Sequence, residues 1–314
     1  MSLDECSGAR NSAFPAICDH LVGTVRKSGT HAHLIDIREA LKPAVSKDRP
    51  LVMLCPHADD GAISAGCLIH EYSVRIGIPV FEVLVFAGER NVDAPWLNES
   101  KKISVRENEF RLECSVLGSE AVCWDLQAYR SPGYQPTPAD IEKVVDWFAS
   151  VRPGAIIVPP ATDGHMAHRM TRTLAAIGLI GAELSSTLIL SGWTPWGPLP
   201  RPNAFFTYDE KLAHTKAWAI NCHASQVRLT DYTEFCEHLG EAYAALVREW
   251  AEGHRLTSGR STKEPDFIGV ELFQIEHFEP LLAEGPSADA MQIALGILGG
   301  HFSPVDILAH GHGS

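Results

Sequence analysis

The amino-acid sequence predicts an α/β fold, in which helices flank a sheet of mostly parallel strands. Short apolar runs rich in β-branched residues alternate along the chain with longer segments whose apolar residues recur at helical spacing. This alternation is typical of parallel strands joined by right-handed helical crossovers. No internal repeat or low-complexity segment interrupts the pattern.

The first half of the chain contains four predicted strands and the helices that connect them. Gly77 and Gly118 stand where two of these helices should end, because glycine readily adopts the left-handed conformation that closes a helix. Pro153 and Gly154 form the turn before the fourth strand. The predicted strands are residues 51–55, 80–86, 121–126 and 155–158, and the predicted helices are residues 34–41, 62–76, 101–117 and 140–151.

The second half is less regular but continues the same alternation. A helix with Leu174, Ile177 and Ile180 on one face follows the fourth strand. The remaining predicted strands are residues 186–191, 204–208 and 267–275, and the remaining predicted helices are residues 209–222 and 232–252.

Composition and charge argue against several classes of protein. The formal net charge of −13 is unfavourable for a nucleic-acid partner, which would require a basic surface. No apolar run approaches the roughly 18 residues of a membrane span, and no secretory signal is visible at the N-terminus. The eight cysteines are scattered without a CxxC pair, which favours reduced thiols. We therefore expect a cytoplasmic protein without a membrane span or a nucleic-acid partner.

Polar side chains follow the first predicted strand. The apolar run at 51–55 leads directly into His57, Asp59 and Asp60, and a segment of small residues follows. Open α/β sheets place their chemistry at the carboxyl ends of strands, so this stretch is the leading candidate for a functional site. The simpler alternative is that the two aspartates cap the next helix and stabilise its dipole.

A second polar cluster follows the fourth predicted strand. His165 and His168 are spaced i, i+3, which on a helix places both imidazoles on one face. Two imidazoles and a carboxylate form a ligand set that suits zinc, and three protein ligands leave one position open for water. A bound metal ion would lower the pKa of that water to about 7. A nearby carboxylate could then act as general base and a nearby imidazolium could stabilise an oxyanion.

Both clusters resemble motifs of a known family. PHADD at 56–60, followed by Gly66, resembles the PHPDDE signature of the PIG-L/LmbE-like metal-dependent N-deacetylases. GHMAH at 164–168 is similar to the HxDH motif of that family. Weaker similarities follow in the family's order: Arg106 and Glu109 with Leu117 and Gly118, then Lys216 with His223, Ser225 and Gln226, then Glu271 with Phe273.

The resemblance implies a Rossmann-like sheet and hydrolysis of an N-acyl group, usually N-acetyl, from an amino sugar conjugate. It implies that His57, Asp60 and His168 bind Zn²⁺, with Fe²⁺ and Mn²⁺ as alternatives. It makes Asp59 the general base and His165 the residue that stabilises the oxyanion. The small-molecule partner would be the amino sugar conjugate. The sequence does not decide whether the chain forms a homo-oligomer.

The resemblance also implies a division of the chain. It covers residues 49–275, which we expect to form the main deacetylase-like domain. Residues 1–48 would then be an N-terminal extension packed on the core, and residues 276–314 a C-terminal tail. The loops at 88–98, 127–138 and 192–203 are expected to set substrate specificity.

Three positions depart from the family pattern. Ala58 replaces the proline of PHPDDE, Gly61 replaces its glutamate, and Ala167 replaces the aspartate of HxDH. Loss of an acid that supports a metal-binding histidine weakens metal affinity or activity by about 10- to 100-fold. Because none of the five proposed ligand and catalytic positions is altered, a hydrolase stays the leading expectation. The alternative is a catalytically weakened module that binds a sugar or acyl ligand without cleaving it.

Other residues have competing interpretations. Arg106 and Glu109 fit an ion pair on a helix face better than a substrate contact. His223 is placed near the substrate by the resemblance alone, and it could instead cap a helix. Trp193 and Trp196 fit loop packing better than a sugar-stacking platform.

A serine hydrolase or nucleotide-binding enzyme is poorly supported, because the sequence contains no GxSxG, GxGxxG or GxxxxGK[ST] motif at the relevant position.

Overall fold

A computed structural model of the chain describes residues 14–27, 34–88, 92–126, 135–194, 197, 199, 201–228, 230–258 and 267–276. The described residues form one eight-stranded sheet with apolar side chains packed on both faces. Its strands are β1 (Ile35–Asp36), β2 (Leu51–Cys55), β3 (Val80–Leu84), β4 (Glu120–Cys123), β5 (Ala155–Val158), β6 (Leu188–Gly192), β7 (Ala204–Tyr208) and β8 (Gly269–Glu276). They are arranged in the order β1-β7-β8-β6-β5-β2-β3-β4.

Helices cover the sheet between these strands. The helix that follows β2 continues directly into a π-helical turn, Glu71–Ile76. The α-helices are α1 (Phe14–Lys27), α2 (Ile37–Ala44), α3 (Asp60–His70), α4 (Glu99–Leu117), α5 (Pro138–Val151), α6 (Met166–Gly181), α7 (Glu210–Asn221), α8 (Ala224–Val227) and α9 (Tyr232–Ser258).

Strand β2 occupies a special place in the sheet. It is buried along its whole length and pairs in parallel with β3 on one side and β5 on the other. The chain runs outward from β2 through β3 to β4, and then crosses to β5 on the opposite side. The carboxyl ends of β2 and β5 therefore border the point where the strand order reverses. In open α/β sheets, ligands bind in the crevice at this point.

The fold class predicted from the sequence is confirmed. Seven predicted strands and the main connecting helices occur in the structure with boundaries that differ by a few residues. Gly77 and Gly118 end their helices with φ angles of 75° and 77°. A side chain at Gly118 would also collide with Val74, so this position requires glycine both for its conformation and for space.

Three local features were not predicted. The start of the predicted helix at 34–41 is instead the edge strand β1, and α2 begins only after Asp36, whose side chain caps it by accepting from the Arg38 N–H. Strand β8 is antiparallel to both β6 and β7, between which it lies. The short helix α8 was not anticipated. A two-residue strand and a single helical turn are too short to produce a periodic pattern.

The N-terminal segment contributes to the core. Helix α1 buries Cys18, Leu21 and Val25 in the main apolar cluster, and β1 joins the sheet beside β7. The division of the chain at residues 48 and 275 stays a prediction, and residues 277–314 lie outside the described part. Within the described part, no helix is long and apolar enough to cross a membrane, and the seven described cysteines are unpaired.

Helix α3 contains a break that a distant strand stabilises. Ala65 departs from helical geometry with φ −142° and ψ 20°. Beyond it, the N–H groups of Cys67 and Leu68 each donate to the Glu271 carboxylate of β8 at 3.0 Å. Lys216 Nζ on α7 donates to the same carboxylate at 2.7 Å. The weak similarities to the family at Lys216 and Glu271 thus correspond to a buried ion pair that holds the helix, and not to a group in the site.

Replacing the two partners of this ion pair should have unequal effects. Glu271→Leu leaves the Lys216 ammonium buried without a counter-charge, and we expect it to cost about 3 to 5 kcal/mol of unfolding free energy. Lys216→Met should cost less, because the Glu271 carboxylate would still accept two backbone N–H groups. Urea unfolding of both variants measures the difference. Equal costs would contradict the capping role of Glu271.

Candidate metal-dependent active site

His57, Asp59 and Asp60 lie in the turn between β2 and α3, as the sequence predicts. Asp59 occupies the N-cap position of α3 but makes no capping hydrogen bond. The Asp60 Oδ2 accepts the His57 N–H at 2.7 Å. The alternative in which the two aspartates serve as a helix cap and a first-turn acid therefore does not explain Asp59, whose side chain points to a different partner.

The structure brings His57, Asp60 and His168 together. His168 Nε2 lies 3.3 Å from His57 Nδ1 and 3.5 Å from Asp60 Oδ2, and His57 Nδ1 lies 3.4 Å from Asp60 Oδ2. Ligands bound tetrahedrally to zinc at about 2.0 to 2.1 Å would be separated by about 3.3 to 3.4 Å. The three atoms thus have the spacing of zinc ligands.

The surroundings of His168 also suit a bound cation. His168 Nδ1 faces the Asp163 carboxylate, so the lone pair of the neutral ring is on Nε2, toward His57 and Asp60. Although burial opposes a charge on His168, the Asp60 and Asp163 carboxylates raise its pKa. A positive charge is therefore favoured at this point.

His165 completes the cluster from the N-cap position of α6. Its ring centroid lies 4.9 Å from those of both His57 and His168. The ligand atoms of these three histidines lie within 4.8 Å of one another, which makes a set of three imidazoles a competing ligand set. His165 Nδ1 accepts the Ala167 N–H at 3.3 Å, so the proton of the neutral ring is on Nε2. Burial and the neighbouring histidines lower the pKa of His165.

Asp163 is a supporting residue that the sequence reasoning missed. Its Oδ2 is 2.8 Å from His168 Nδ1 and also accepts from the Thr194 hydroxyl, while its Oδ1 accepts the His165 N–H at 2.7 Å. These hydrogen bonds lower the pKa of Asp163 although its burial acts in the opposite direction. The expectation that Ala167 deprives the site of a supporting acid is therefore wrong for His168. The signal was an aspartate two residues before the first histidine of GHMAH.

Removing the Asp163 charge should weaken metal binding without abolishing it. Asp163→Asn keeps the shape of the side chain but no longer stabilises the orientation and basicity of the His168 ring. We expect metal affinity to fall about 10- to 100-fold. Titration of the metal-free protein with Zn²⁺ measures the change, and Asp146→Asn, on the exposed face of α5, is the matched control. An affinity equal to that of the unaltered protein would show that Asp163 does not support the site.

Asp59 is held beside the cluster by a buried chain of charges. Arg106 Nη2 on α4 donates to Asp59 Oδ1 at 2.9 Å, and Arg106 Nη1 donates to Glu109 Oε2 at 3.0 Å. Glu109 accepts in turn from the backbone N–H and hydroxyl of Ser225. Burial disfavours charge on Asp59, but Arg106, His223 and His57 together lower its pKa to about 2. Asp59 is therefore ionised at neutral pH.

Arg106 and Glu109 do form the ion pair that their spacing predicts. Only 1% of the Arg106 surface is exposed, and both Nη atoms are bound by carboxylates. The sequence did not indicate the additional partner, Asp59, because 47 residues separate it from Arg106. A direct contact between Arg106 and substrate stays a prediction.

The space at Gly61 is filled by two glutamates. A β-carbon at this position would collide with Glu82 Oε2 and lie 2.9 Å from Glu113 Oε1. Both glutamates are completely buried, one on β3 and the other on α4. The glycine that departs from the family signature is thus required by neighbouring acids from two other elements.

His223 lies at the start of α8 and is also completely buried. Its Nε2 is 2.5 Å from Glu113 Oε2. Burial is the main cause that lowers its pKa to about 4. A substrate contact by His223 stays a prediction.

Trp193 is buried and packs on Phe235 with ring centroids 5.7 Å apart, which agrees with the interpretation that it serves loop packing. Trp196 lies outside the described residues.

Comparison with protein families identifies the segment that contains both clusters. Residues 52–177 match the family model described as PIG-L: GlcNAc-PI de-N-acetylase. This segment of the chain is thus similar to the PIG-L family. This match includes PHADD and GHMAH and confirms the resemblance predicted from the sequence. A comparison with the curated proteins found no significant match.

Solved structures with a similar fold include different kinds of enzyme. The 4-carboxy-2-hydroxymuconate hydratase GalB of Pseudomonas putida is 17% identical, with 72% of this chain and 95% of that chain covered and a TM-score of 0.57. The N,N′-diacetylchitobiose deacetylase of Pyrococcus horikoshii is 19% identical, with 80% and 94% covered and a TM-score of 0.51. The A40926 pseudoaglycone deacetylase is 18% identical, with 74% and 99% covered and a TM-score of 0.51.

At these identities the likenesses establish the fold and nothing further. They agree with the mixed, mostly parallel sheet of this chain. Because a hydratase and two deacetylases share this fold, the fold alone does not determine the activity, which depends on the side chains of the site.

Proposed function

We propose that this chain is a zinc-dependent amide hydrolase that removes an N-acyl group, most simply N-acetyl, from an amino sugar conjugate. The observation that supports this function is the close triangle of His57 Nδ1, Asp60 Oδ2 and His168 Nε2 in the segment that is similar to the PIG-L family. The ionised Asp59 beside it supplies a carboxylate outside the proposed ligand set.

His57, Asp60 and His168 would hold the metal ion. Bound there, zinc supplies Lewis acidity that activates water and polarises an amide carbonyl. Two imidazoles and one carboxylate also suit Fe²⁺, and Mn²⁺ accepts the same donor types less favourably. We take zinc as the first choice and the other two as alternatives for metal analysis to distinguish.

Asp59 is the proposed general base. Arg106 binds its Oδ1, so Oδ2 is the oxygen that would take the proton from the attacking water. The same oxygen can then pass that proton to the amine nitrogen as the amide C–N bond breaks. Its low pKa means that its contribution comes from position and charge, because a carboxylate with a pKa of about 2 is a weak base in water.

His165 is the proposed donor to the substrate carbonyl. Since its Nδ1 accepts a backbone N–H, its Nε2 carries the proton that would be donated to the carbonyl oxygen as negative charge develops there. A neutral imidazole can provide this hydrogen bond, so the lowered pKa of His165 is compatible with the role.

Amine release from a panel of substrates tests the proposed function. The purified protein would be analysed for metal and then incubated with N-acetylated and longer-chain N-acylated amino sugars, with and without a chelator. We expect one metal ion per chain and amine release that the chelator abolishes. Stoichiometric metal together with sugar binding but no amine release across the panel would instead favour the non-catalytic binding module. Release that is insensitive to the chelator would reject metal-dependent hydrolysis.

The amino sugar conjugate as partner, the cytoplasmic location and self-association stay predictions. The loops at 88–98, 127–138 and 192–203 follow strands at the same edge of the sheet as the site. The first of them begins beside the proposed ligands, because a β-carbon at Gly88 would lie 3.2 Å from the His57 ring. We propose that these loops select the sugar conjugate.

A further inference from the structure

Glu113 connects the helix that carries Asp60 to the buried His223. Its Oε1 accepts the Ala62 N–H in the first turn of α3 at 2.6 Å. Its Oε2 lies 2.5 Å from His223 Nε2. The Ala62 N–H can only donate, so it fixes Oε1 as an acceptor. Glu113 is also hydrogen-bonded to the Glu82 carboxyl. Toward His223, the proton between Oε2 and Nε2 belongs either to the carboxyl or to the imidazole.

The surrounding charges decide where this proton lies. Glu82, Glu109 and Asp59 are acidic, and Arg106 is already bound to Asp59 and Glu109. Burial, together with the charge of Asp59, holds the pKa of Glu113 well above its usual range. Burial likewise raises the pKa of Glu82, which faces Glu113 across Gly61. A neutral carboxyl group is an O–H donor, and its acceptor at this place is His223 Nε2.

Among the residues that the structure describes, the other nitrogen of His223 has no hydrogen-bond partner. His223 Nδ1 is shielded from solvent, and no group of the described residues forms a hydrogen bond with it. If Nε2 accepts from Glu113, the single proton of the neutral ring must be on Nδ1. Buried polar groups without a partner are rare and often serve a ligand or an ordered water. Among charged groups, Asp59 exerts the strongest effect on the pKa of His223 and raises it, although burial lowers this pKa more strongly.

We propose that Glu113 is a positioning residue: it donates its carboxyl proton to His223 Nε2 and so fixes the imidazole tautomer whose Nδ1–H is offered to an oxygen atom of the substrate. The role of His223 toward substrate rests on the proposed hydrolase function, whereas the tautomer does not. Gly61 is part of the arrangement, because any side chain there would displace the Glu82 and Glu113 carboxyl groups.

Glutamine at position 113 distinguishes the two proton positions. In Glu113→Gln, the Ala62 N–H requires the amide oxygen, so the amide NH₂ must face His223 Nε2. This variant reproduces a neutral carboxyl donor and should keep the Nδ1–H tautomer. Glu113→Met has a similar length but offers neither donor nor acceptor, and it should release the ring to a mixture of tautomers.

Nitrogen NMR distinguishes the Nδ1–H and Nε2–H tautomers of His223 directly. Protein labelled with ¹⁵N-histidine would be examined as purified, and the His223 signals assigned by their loss in His223→Gln. We expect the Nδ1–H pattern in the unaltered protein and in Glu113→Gln, and a shift away from it in Glu113→Met. An Nε2–H pattern in the unaltered protein, or a change of tautomer in Glu113→Gln, would overturn the proposal. If Glu113→Met does not fold, the other two proteins still decide the question.

Kinetics test the substrate contact separately. With an acylated amino sugar that the enzyme cleaves, Glu113→Gln should keep its kcat/KM, while Glu113→Met should lose about 10-fold. The loss should appear mainly in KM if the Nδ1–H binds a substrate oxygen that does not react. Equal kcat/KM values for the two variants would remove the substrate contact. Failure to find any cleaved substrate would count against the hydrolase function and leave the NMR result standing.

Discussion

Asp59→Asn is expected to keep the metal ion and to lose turnover by about 100- to 10,000-fold. Asparagine has nearly the same shape and can still accept the hydrogen bond from Arg106, but its amide cannot take a proton from water. Metal content and the rate of amine release, measured on the same preparation, test this result. Asp146→Asn on the exposed face of α5 makes the same chemical change away from the site and should leave both quantities unchanged.

Stability has to be measured alongside turnover for this variant. The substitution leaves Arg106 with Glu109 as its one charged partner, so some loss of unfolding free energy should accompany the loss of rate. A folded variant with bound metal and no turnover would support the proposed base. Unimpaired turnover would eliminate Asp59 from the proton transfer, whatever the effect on stability.

Removing a proposed ligand should cause loss of the metal ion itself, whereas Asp59→Asn is expected to keep it. In His57→Ala the triangle loses one corner, and we expect metal content to fall from one ion per chain to a small fraction of that. His214→Ala on the exposed face of α7 is the matched control and should retain the full equivalent. A full equivalent of tightly bound metal in His57→Ala would show that the ion binds elsewhere.

The same measurement separates the two ligand sets around His57 and His168. With Asp60 as the third ligand, Asp60→Asn should lose metal, whereas His165→Ala should keep it and lose turnover. With three imidazoles as ligands, His165→Ala should lose metal, whereas Asp60→Asn should keep it and lose turnover. The shorter distances to Asp60 Oδ2, 3.4 and 3.5 Å, favour the first result.

Much of the fold was predictable because it depends on local patterns. The apolar run of β2, the helix ends at Gly77 and Gly118, and the polar residues after β2 and β5 are all visible along the chain. Parallel strands carry their carboxyl ends to one edge, so His57 and His168 could be expected to approach each other although 111 residues separate them.

The rest of the site depends on contacts that no local pattern encodes. Asp163 was visible beside GHMAH, but its partner depends on how the loop turns back onto His168. Glu82 was an unexplained acid within an apolar strand, and Glu113 an ordinary position on a helix. Their meeting at Gly61 requires the packing of α4 against β3 and α3. The antiparallel direction of β8 likewise depends on tertiary pairing and not on composition.

The position of Glu271 has a consequence for how the molecule assembles. This carboxylate holds the broken helix behind the site, yet it is 204 residues beyond Cys67, and β8 is inserted between β6 and β7. Contacts so distant in sequence form late, because a long loop must close before they are gained. During synthesis, the segment 52–177 therefore emerges with every proposed ligand but without the strand that completes the support of α3. The hydrogen bonds from Cys67 and Leu68 to Glu271 can form only after the ribosome has released residues 269–276.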